Sequence, residues 1–308
     1  NVWTNVGAGS GDVVPHSPQG SSYGYVALGW NGSNDTSCDK FSLTSNGSGT
    51  ATVTLSVARS SCGSSSSMTH GFHHGGRTGG GSTETNIIDS FQFSSDATAV
   101  DVGDLVGTVM HAGGTMSSTH GYMHGAYQPD APRDYIWKYQ HAASANAADV
   151  GNLVGSTYGP ASAMSSTHGY SLGGQPSAPY SYNSIQKYIY SSDGNATDVS
   201  DMSIGHTVGS GTNSSTHGYC AGGDGGGSGT TNIIDKFSFA SDGSGGSNIG
   251  TLTVARWAHG GISSTTHGYA AGGSSSNVID KYSFSSDGNA TDVGDLSAAR
   301  HGWGGNQI

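Results

Sequence analysis

The sequence predicts an all-β fold, a six-bladed β-propeller built from four-stranded antiparallel blades. Three observations carry that prediction. First, one short string recurs six times: Ser117-Ser118-Thr119-His120-Gly121-Tyr122, Ser165-Ser166-Thr167-His168-Gly169-Tyr170, Ser214-Ser215-Thr216-His217-Gly218-Tyr219 and Ser264-Thr265-Thr266-His267-Gly268-Tyr269, with looser copies at Met68-Thr69-His70-Gly71-Phe72 and Ser21-Ser22-Tyr23-Gly24-Tyr25. The intervals between copies are 47, 50, 48, 49 and 50 residues. A near-constant period of this size marks one supersecondary unit stacked on itself. Second, each unit holds four short runs of strand formers separated by turn residues, with no helical periodicity. Third, 53 of the 308 residues are glycine, far above the usual share and hostile to helices. The aromatic and β-branched residues spaced through every unit set the chain apart from a disordered one.

The elements follow in order. In residues 1–20, Val2 to Val6 reads as a short strand, Gly7 to Asp12 as a turn, and Val13 to Gln19, interrupted by Pro15 and Pro18, as an edge strand or loop. The grammar of a unit is clearest in the last one. Trp257-Ala258-His259-Gly260-Gly261-Ile262 is a small-residue run suited to a tightly packed inner strand. His267 to Gly272 forms a second strand with His267, Tyr269 and Ala271 on one face. Val278 to Phe284 is the third, and Thr291 to Leu296 the fourth, after an Asp-Gly-Asn turn that accepts positive φ cheaply. The blades fall near 21–59, 60–110, 111–155, 156–205, 206–256 and 257–300. Two segments compete to complete blade one. His301 to Asn306 matches the inner strand of the other blades, which would leave 1–20 as an arm or linker. Alternatively Val13 to Gln19 fills the place and the C-terminus continues onward.

Composition excludes several partners. Lys and Arg total 10 against a net charge of −11, so no basic stripe exists to neutralise phosphates. Nucleic acid and anionic membrane surfaces are excluded as partners. No run approaches the ~18 apolar residues of a membrane span. Cys38, Cys62 and Cys220 form no CxxC and read as buried thiols, with a Cys38–Cys62 disulfide as the alternative.

The unit resembles the kelch repeat. Tyr269 leads to the double glycine Gly272-Gly273, then to Tyr282, then to Arg300. The double glycine recurs as Gly75-Gly76, Gly173-Gly174 and Gly222-Gly223, with Leu28-Gly29 and Gly125-Ala126 in its place elsewhere. The arginine recurs at Arg59 and Arg256, with Met110 once standing instead. The tryptophan common on the fourth kelch strand is absent; Val293 or Gly294 lies near its place. The resemblance spans roughly residues 13–308 and implies a kelch-like propeller. The wording of strings such as Ser-Ser-Thr-His-Gly-Tyr, and of Ser-Asp-Gly-Asn-Ala-Thr-Asp-Val-Gly-Asp-Leu at 286–296, is similar to repeat proteins of marine phages. That similarity implies a tail- or fibre-like virion component, extracellular or virion-borne, whose partners are other subunits and a host glycan or receptor.

Each candidate site has a plain structural role as its alternative. His70, His120, His168, His217 and His267 form a ring with Tyr23 in the sixth place. Imidazoles at this spacing can bind a metal or sense pH, but equivalent places on separate blades do not converge on one ion. The expectation is a structural repeat in which each imidazole bonds to backbone between blades, and no metal is assigned. The Asp193–Asp198 and Asp287–Asp292 turns offer oxygens at alternate positions, which makes Ca²⁺ the one cofactor considered; turn capping is the competing role. No G-x-S-x-G, H-E-x-x-H or P-loop is present, and glutamate occurs only at Glu84, which excludes a paired-glutamate acid and base. No catalytic residue is assigned, and the chain reads as non-enzymatic. The loop after each double glycine varies, and it shares a face with the fourth-to-first connection. That face collects Trp30, Tyr127, Tyr180, Tyr182, Trp257 and Trp303, aromatics suited to sugar rings or a protein partner. The expected function is therefore display of variable loops for attachment or assembly. A cell-surface or filament protein, and a polysaccharide-degrading enzyme, are the alternatives.

Overall fold

A computed structural model describes residues 18–27, 29–79, 83–176, 181–274, 276–301 and 304–308. They form a six-bladed β-propeller of antiparallel four-stranded blades. From axis to rim, blade one comprises Gly305–Gln307, Tyr23–Ala27, Asp35–Ser42 and Thr50–Arg59. Blade two comprises Gly63–Ser66, His70–His74, Thr83–Gln92 and Val100–Val109, with the short Arg77–Thr78 added to its hairpin. Blade three comprises Gly113–Met116, His120–Gln128, Ala131–Gln140 and Ala148–Thr157. Blade four comprises Ala161–Met164, His168–Leu172, Ser184–Ile189 and Thr197–Asp201. Blade five comprises Ser210–Asn213, His217–Ala221, Ile233–Ser238 and Ser247–Thr251, and blade six Gly260–Ser263, His267–Ala271, Val278–Ser283 and Thr291–Asp295.

The C-terminal strand closes the ring. Gly305–Gln307 pairs antiparallel with the second strand of blade one, Gly24 opposite Gln307 and Val26 opposite Gly305. Of the competing N-terminal segment, Val13 to Ser17 lies outside the described residues, as do the strand and turn expected before it. Pro18–Gly20 crosses the mouth of the axis: Gln307 Nε2 donates to Pro18 O, Gln19 Nε2 to Asn213 O and the Gly20 amide to Ser263 O.

Small residues are dictated at the axis. Each inner strand presents a small residue inward, the second of its strand at Ser64, Gly114, Ser162, Gly211 and Gly261 and the first at Gly305. A Cβ on Gly211 would stand 1.9 Å from Ser162 O, and one on Gly261 2.3 Å from Gly211 O. Backbone meets backbone here, and no side chain can retreat. What remains is a narrow axial cavity of about 70 Å³.

The recurring string is explained by the same packing. Ser117 Oγ accepts the amides of Thr119 and His120 and tightens the turn. Gly121 lies opposite Tyr139 on the third strand, and a Cβ there would meet that ring at 2.4 Å. The glycine therefore makes room for an aromatic lying flat across the strand, as do Gly169 under Tyr188 and Gly268 under Tyr282. The Tyr139 and Tyr188 hydroxyls then cross to the preceding blade, where Tyr139 meets Ser65 Oγ at 2.8 Å and His74 Nδ1 at 3.0 Å, and Tyr188 meets Thr115 Oγ1 at 2.6 Å and His124 Nδ1 at 3.0 Å. The string's own aromatic stacks on the next blade: Tyr122 on Tyr190 at 4.8 Å, Tyr170 on Phe239 at 4.9 Å and Tyr219 on Phe284 at 4.7 Å. Such pairs contribute about 0.5–1.5 kcal/mol beyond their burial.

Two further rows join blades. In the inner row, a third-strand carboxylate takes the amide and hydroxyl of the preceding blade's outer strand or the residues just after it: Asp89 from Ser56, Asp235 from Ser203, Asp280 from Thr253 and Asp39 from Ser297. Gln186 serves the Val154 amide in the same way, and Trp137 holds the remaining place. In the outer row a lysine reaches the next blade's turn: Lys40 to Asp96, Lys138 to Asp193, Lys187 to Asp242, Lys236 to Asp287 and Lys281 to Asn46. The three cysteines are buried free thiols.

Candidate functional site

The variable face is built on six elbows. In each, the connection leading into a blade touches the loop after that blade's second strand: Trp30 with His301, Ser60 with Arg77, Met110 with Tyr127, Tyr158 with Gln175, Thr207 with Asp224, and the Trp257 amide with Ser274 Oγ at 2.9 Å. One residue on, the connection turns left-handed at Ser61, His111, Gly159, Val208 and Ala258, with φ between 53° and 63°. That conformation is uncommon for residues with a Cβ and strained for a β-branched one. A belt of hydrogen bonds holds it: His111 N donates to Ser61 O, Gly159 N to His111 O, Val208 N to Gly159 O and Ala258 N to Val208 O. The elbows are thus fixed from blade to blade, whatever side chains they carry.

Those side chains differ. Trp257 packs edge-on against His301, centroids 4.6 Å apart, in the elbow beside Trp30. Tyr127 packs edge-on against Tyr158 at 5.3 Å, and His111 adjoins Tyr158 at 5.8 Å. The Tyr158 hydroxyl donates to Gln175 Oε1. Tyr182 is 37% exposed and stands over the next blade's entry, with its carbonyl accepting the His206 amide. Tyr180 and Trp303 lie outside the described residues. The expected aromatics therefore gather into two separate groups, one at the junction of blades six and one and one at blades three and four. Sequence reasoning missed Tyr158, His111 and His301. All three follow an outer strand, the same context that singled out Trp257, and that context was the available signal.

The histidine ring takes a different partner from the one expected. Instead of backbone between blades, each imidazole Nδ1 sits 2.8 Å from the threonine hydroxyl just before it: Thr69 with His70, Thr119 with His120, Thr167 with His168, Thr216 with His217 and Thr266 with His267. Adjacent residues in a tight turn reach each other before any neighbouring blade can. Burial, together with the nearby Lys138, Lys187, Lys236 and Lys281, lowers the pKa of His120, His168, His217 and His267. Tyr23, in the sixth place, is 42% exposed with Lys40 Nζ 4.2 Å from its ring centre. Among the described residues no group of three or more His, Cys, Asp or Glu side chains gathers to hold a metal.

The Asp-rich turns considered for Ca²⁺ are occupied by protein partners. Asp193 and Asp287 hold Lys138 and Lys236, while Asn195 and Asn289 accept the Asn152 and Thr251 amides of the preceding blade.

One buried constellation has the residue types of a nucleophile, base and orienter. His206 Nε2 lies 3.2 Å from Asp235 Oδ2 and Nδ1 lies 2.6 Å from Gly222 O, beside Cys220. Burial opposes charge on His206, but the Cys220 sulfur, Asp235 and the Gly222 carbonyl together hold its pKa well above the usual imidazole range. Both nitrogens are committed to acceptors, which leaves no lone pair to take a proton from the thiol. All three side chains are sealed from solvent. Among the described residues no helix is long and apolar enough to cross a membrane.

No family model matches the chain, and no curated protein matches it. The resemblance to kelch and marine-phage repeats stands on the motifs alone.

Proposed function

We propose that the chain is a non-enzymatic display module, a kelch-like disc that presents unlike loops to a glycan, a receptor or a neighbouring subunit. One observation carries the reading: six loop contacts share one face, five of them at matched left-handed elbows tied by a shared backbone belt, and they carry unlike sets of side chains. A uniform frame with a varied face is the arrangement expected of a binding surface. Half-exposed aromatics at two of the elbows supply flat apolar area for a sugar ring or a protein partner. The motif resemblance to phage repeat proteins favours a virion-borne or cell-surface setting, with sister subunits as further partners.

The test is binding of the isolated chain to a glycan array and to candidate host cells. Binding is expected, and Tyr182→Ala and Trp257→Ala are expected to weaken it at least tenfold while leaving circular dichroism unchanged. Absence of signal on both array and cells overturns attachment and leaves assembly, which negative-stain images of the native particle or filament would show.

A further inference from the structure

Five of the six blade junctions carry the lysine strap, and one does not. In strand register, the strap lysines lie opposite the second-strand aromatic: Lys40 faces Tyr25, Lys138 faces Tyr122, Lys187 faces Tyr170, Lys236 faces Tyr219 and Lys281 faces Tyr269. In blade two the residue opposite Phe72 is Ser90. The receiving turn departs too. Its acceptor stands three residues beyond the amide that bonds the threonine before the repeat histidine, as Asp193 follows Tyr190 and Asp242 follows Phe239. In blade three that amide belongs to His141, so the acceptor's place falls to Ser144. Both charges are therefore missing from the junction of blades two and three. The inner carboxylate is missing there as well, replaced by Trp137.

A cleft of about 400 Å³ opens at this junction. Its lining contains no Asp, Glu, Lys or Arg. His141 lies flat on Phe72, centroids 4.8 Å apart and planes 19° apart, and its Nε2 is 3.3 Å from Ser65 Oγ. Around it stand the His70 imidazole, the Gln92 amide and the Ser90 and Ser144 hydroxyls, with Val102 adding apolar wall. The volume is that of a small-molecule site, and the lining divides evenly between apolar and uncharged polar residues, which suits an amphipathic ligand.

We propose that this cleft binds a neutral saccharide of one or two rings. The absence of charged groups argues against an ionic ligand, which would be desolvated there without a counter-charge. A neutral sugar matches both components: its C–H face on the His141 ring and Val102, its hydroxyls on the amide, imidazole and serine groups. The cleft is bordered by turns that connect first to second and third to fourth strands, so it opens on the side of the disc away from the elbows. It goes beyond the display reading, and either can fail alone.

The experiment is saturation-transfer NMR on the full chain with maltose, cellobiose, lactose and N,N′-diacetylchitobiose. Transfer to at least one disaccharide is expected. The double variant S90K/S144D rebuilds the strap of the other junctions. It is expected to abolish transfer while keeping or raising the melting temperature. His141→Phe installs the ring type that Phe239 and Phe284 supply elsewhere, and is expected to weaken binding about tenfold; it decides the matter if the double variant does not fold. Gly227→Ala, in an open loop of the opposite face with nothing within 4 Å, is expected to leave this binding unchanged. No transfer to any of the four sugars, or undiminished transfer in the strap or His141→Phe variant, overturns the proposal.

Discussion

At the scale of single residues, glycine at the propeller axis is a steric choice. Gly211 has an ordinary backbone conformation, so alanine there faces no torsional penalty, only the Ser162 carbonyl 1.9 Å from its Cβ. Gly211→Ala is expected to destabilise the protein by roughly 3 kcal/mol, the upper range for overpacking. Gly227→Ala, where nothing lies within 4 Å, is expected to stay within about 0.5 kcal/mol of the parent. Urea denaturation of both separates the two cases, and equal losses would refute the axial account. The histidine of the recurring string also has a local role. Its regularity serves a turn in which a serine, a threonine and an imidazole satisfy one another, with the adjacent glycine seating a ring.

At the scale of elements, the two rows of junction contacts differ in what they contribute. Arg256 donates to Asp280 at 2.9 Å and to Ala270 O at 2.8 Å, and both charged side chains are wholly buried. Arg256→Met strands the Asp280 charge and is expected to cost about 3–5 kcal/mol. Lys138→Ala removes only a partly exposed pair and is expected to cost under about 1 kcal/mol. Thermal melts compare them directly, and a larger loss for Lys138→Ala would invert the ranking. Strand order and blade number were legible in the sequence because period and turn chemistry repeat at every unit. The loop face was legible because its segments are the ones that vary. The partner of each repeat histidine was not, since the threonine preceding it is equally regular and periodicity alone cannot rank a neighbour in the turn against one across a junction. The left-handed elbows escaped notice because Ser61, His111 and Val208 are not residues that advertise positive φ. In the sequence the strapless junction is no more than a Ser90 and a Ser144 where other units carry a lysine and its acceptor, and a single exception acquires meaning once the strap is seen elsewhere.

At the scale of the whole molecule, stability is tied to pH through buried imidazoles. Burial pushes His73, His74, His111, His124 and His259 down to about 3. Each stays neutral in the folded protein while its unfolded counterpart takes up a proton below about 6.5. Their contribution is therefore complete above pH 6.5 and is lost as pH falls from there toward 3, by up to about 1.4 kcal/mol per pH unit for each imidazole. His206, held well above the usual range, works in the opposite sense: its contribution is complete below pH 6.5 and declines as pH rises. His206 is charged in both states below that pH and does not oppose the other five, so the melting temperature is expected to drop steeply between pH 6.5 and 4.5, and a flat profile would contradict this. The closing strand carries a different consequence, one of timing. Gly24 cannot meet Gln307 until nearly the whole described chain has left the ribosome. Until then Tyr23–Ala27 presents an unpaired edge, the template on which a second nascent chain can dock. Contacts of such sequence separation form slowly. The interval before the last strand arrives is the period in which this molecule is most exposed to strand exchange with its own copies.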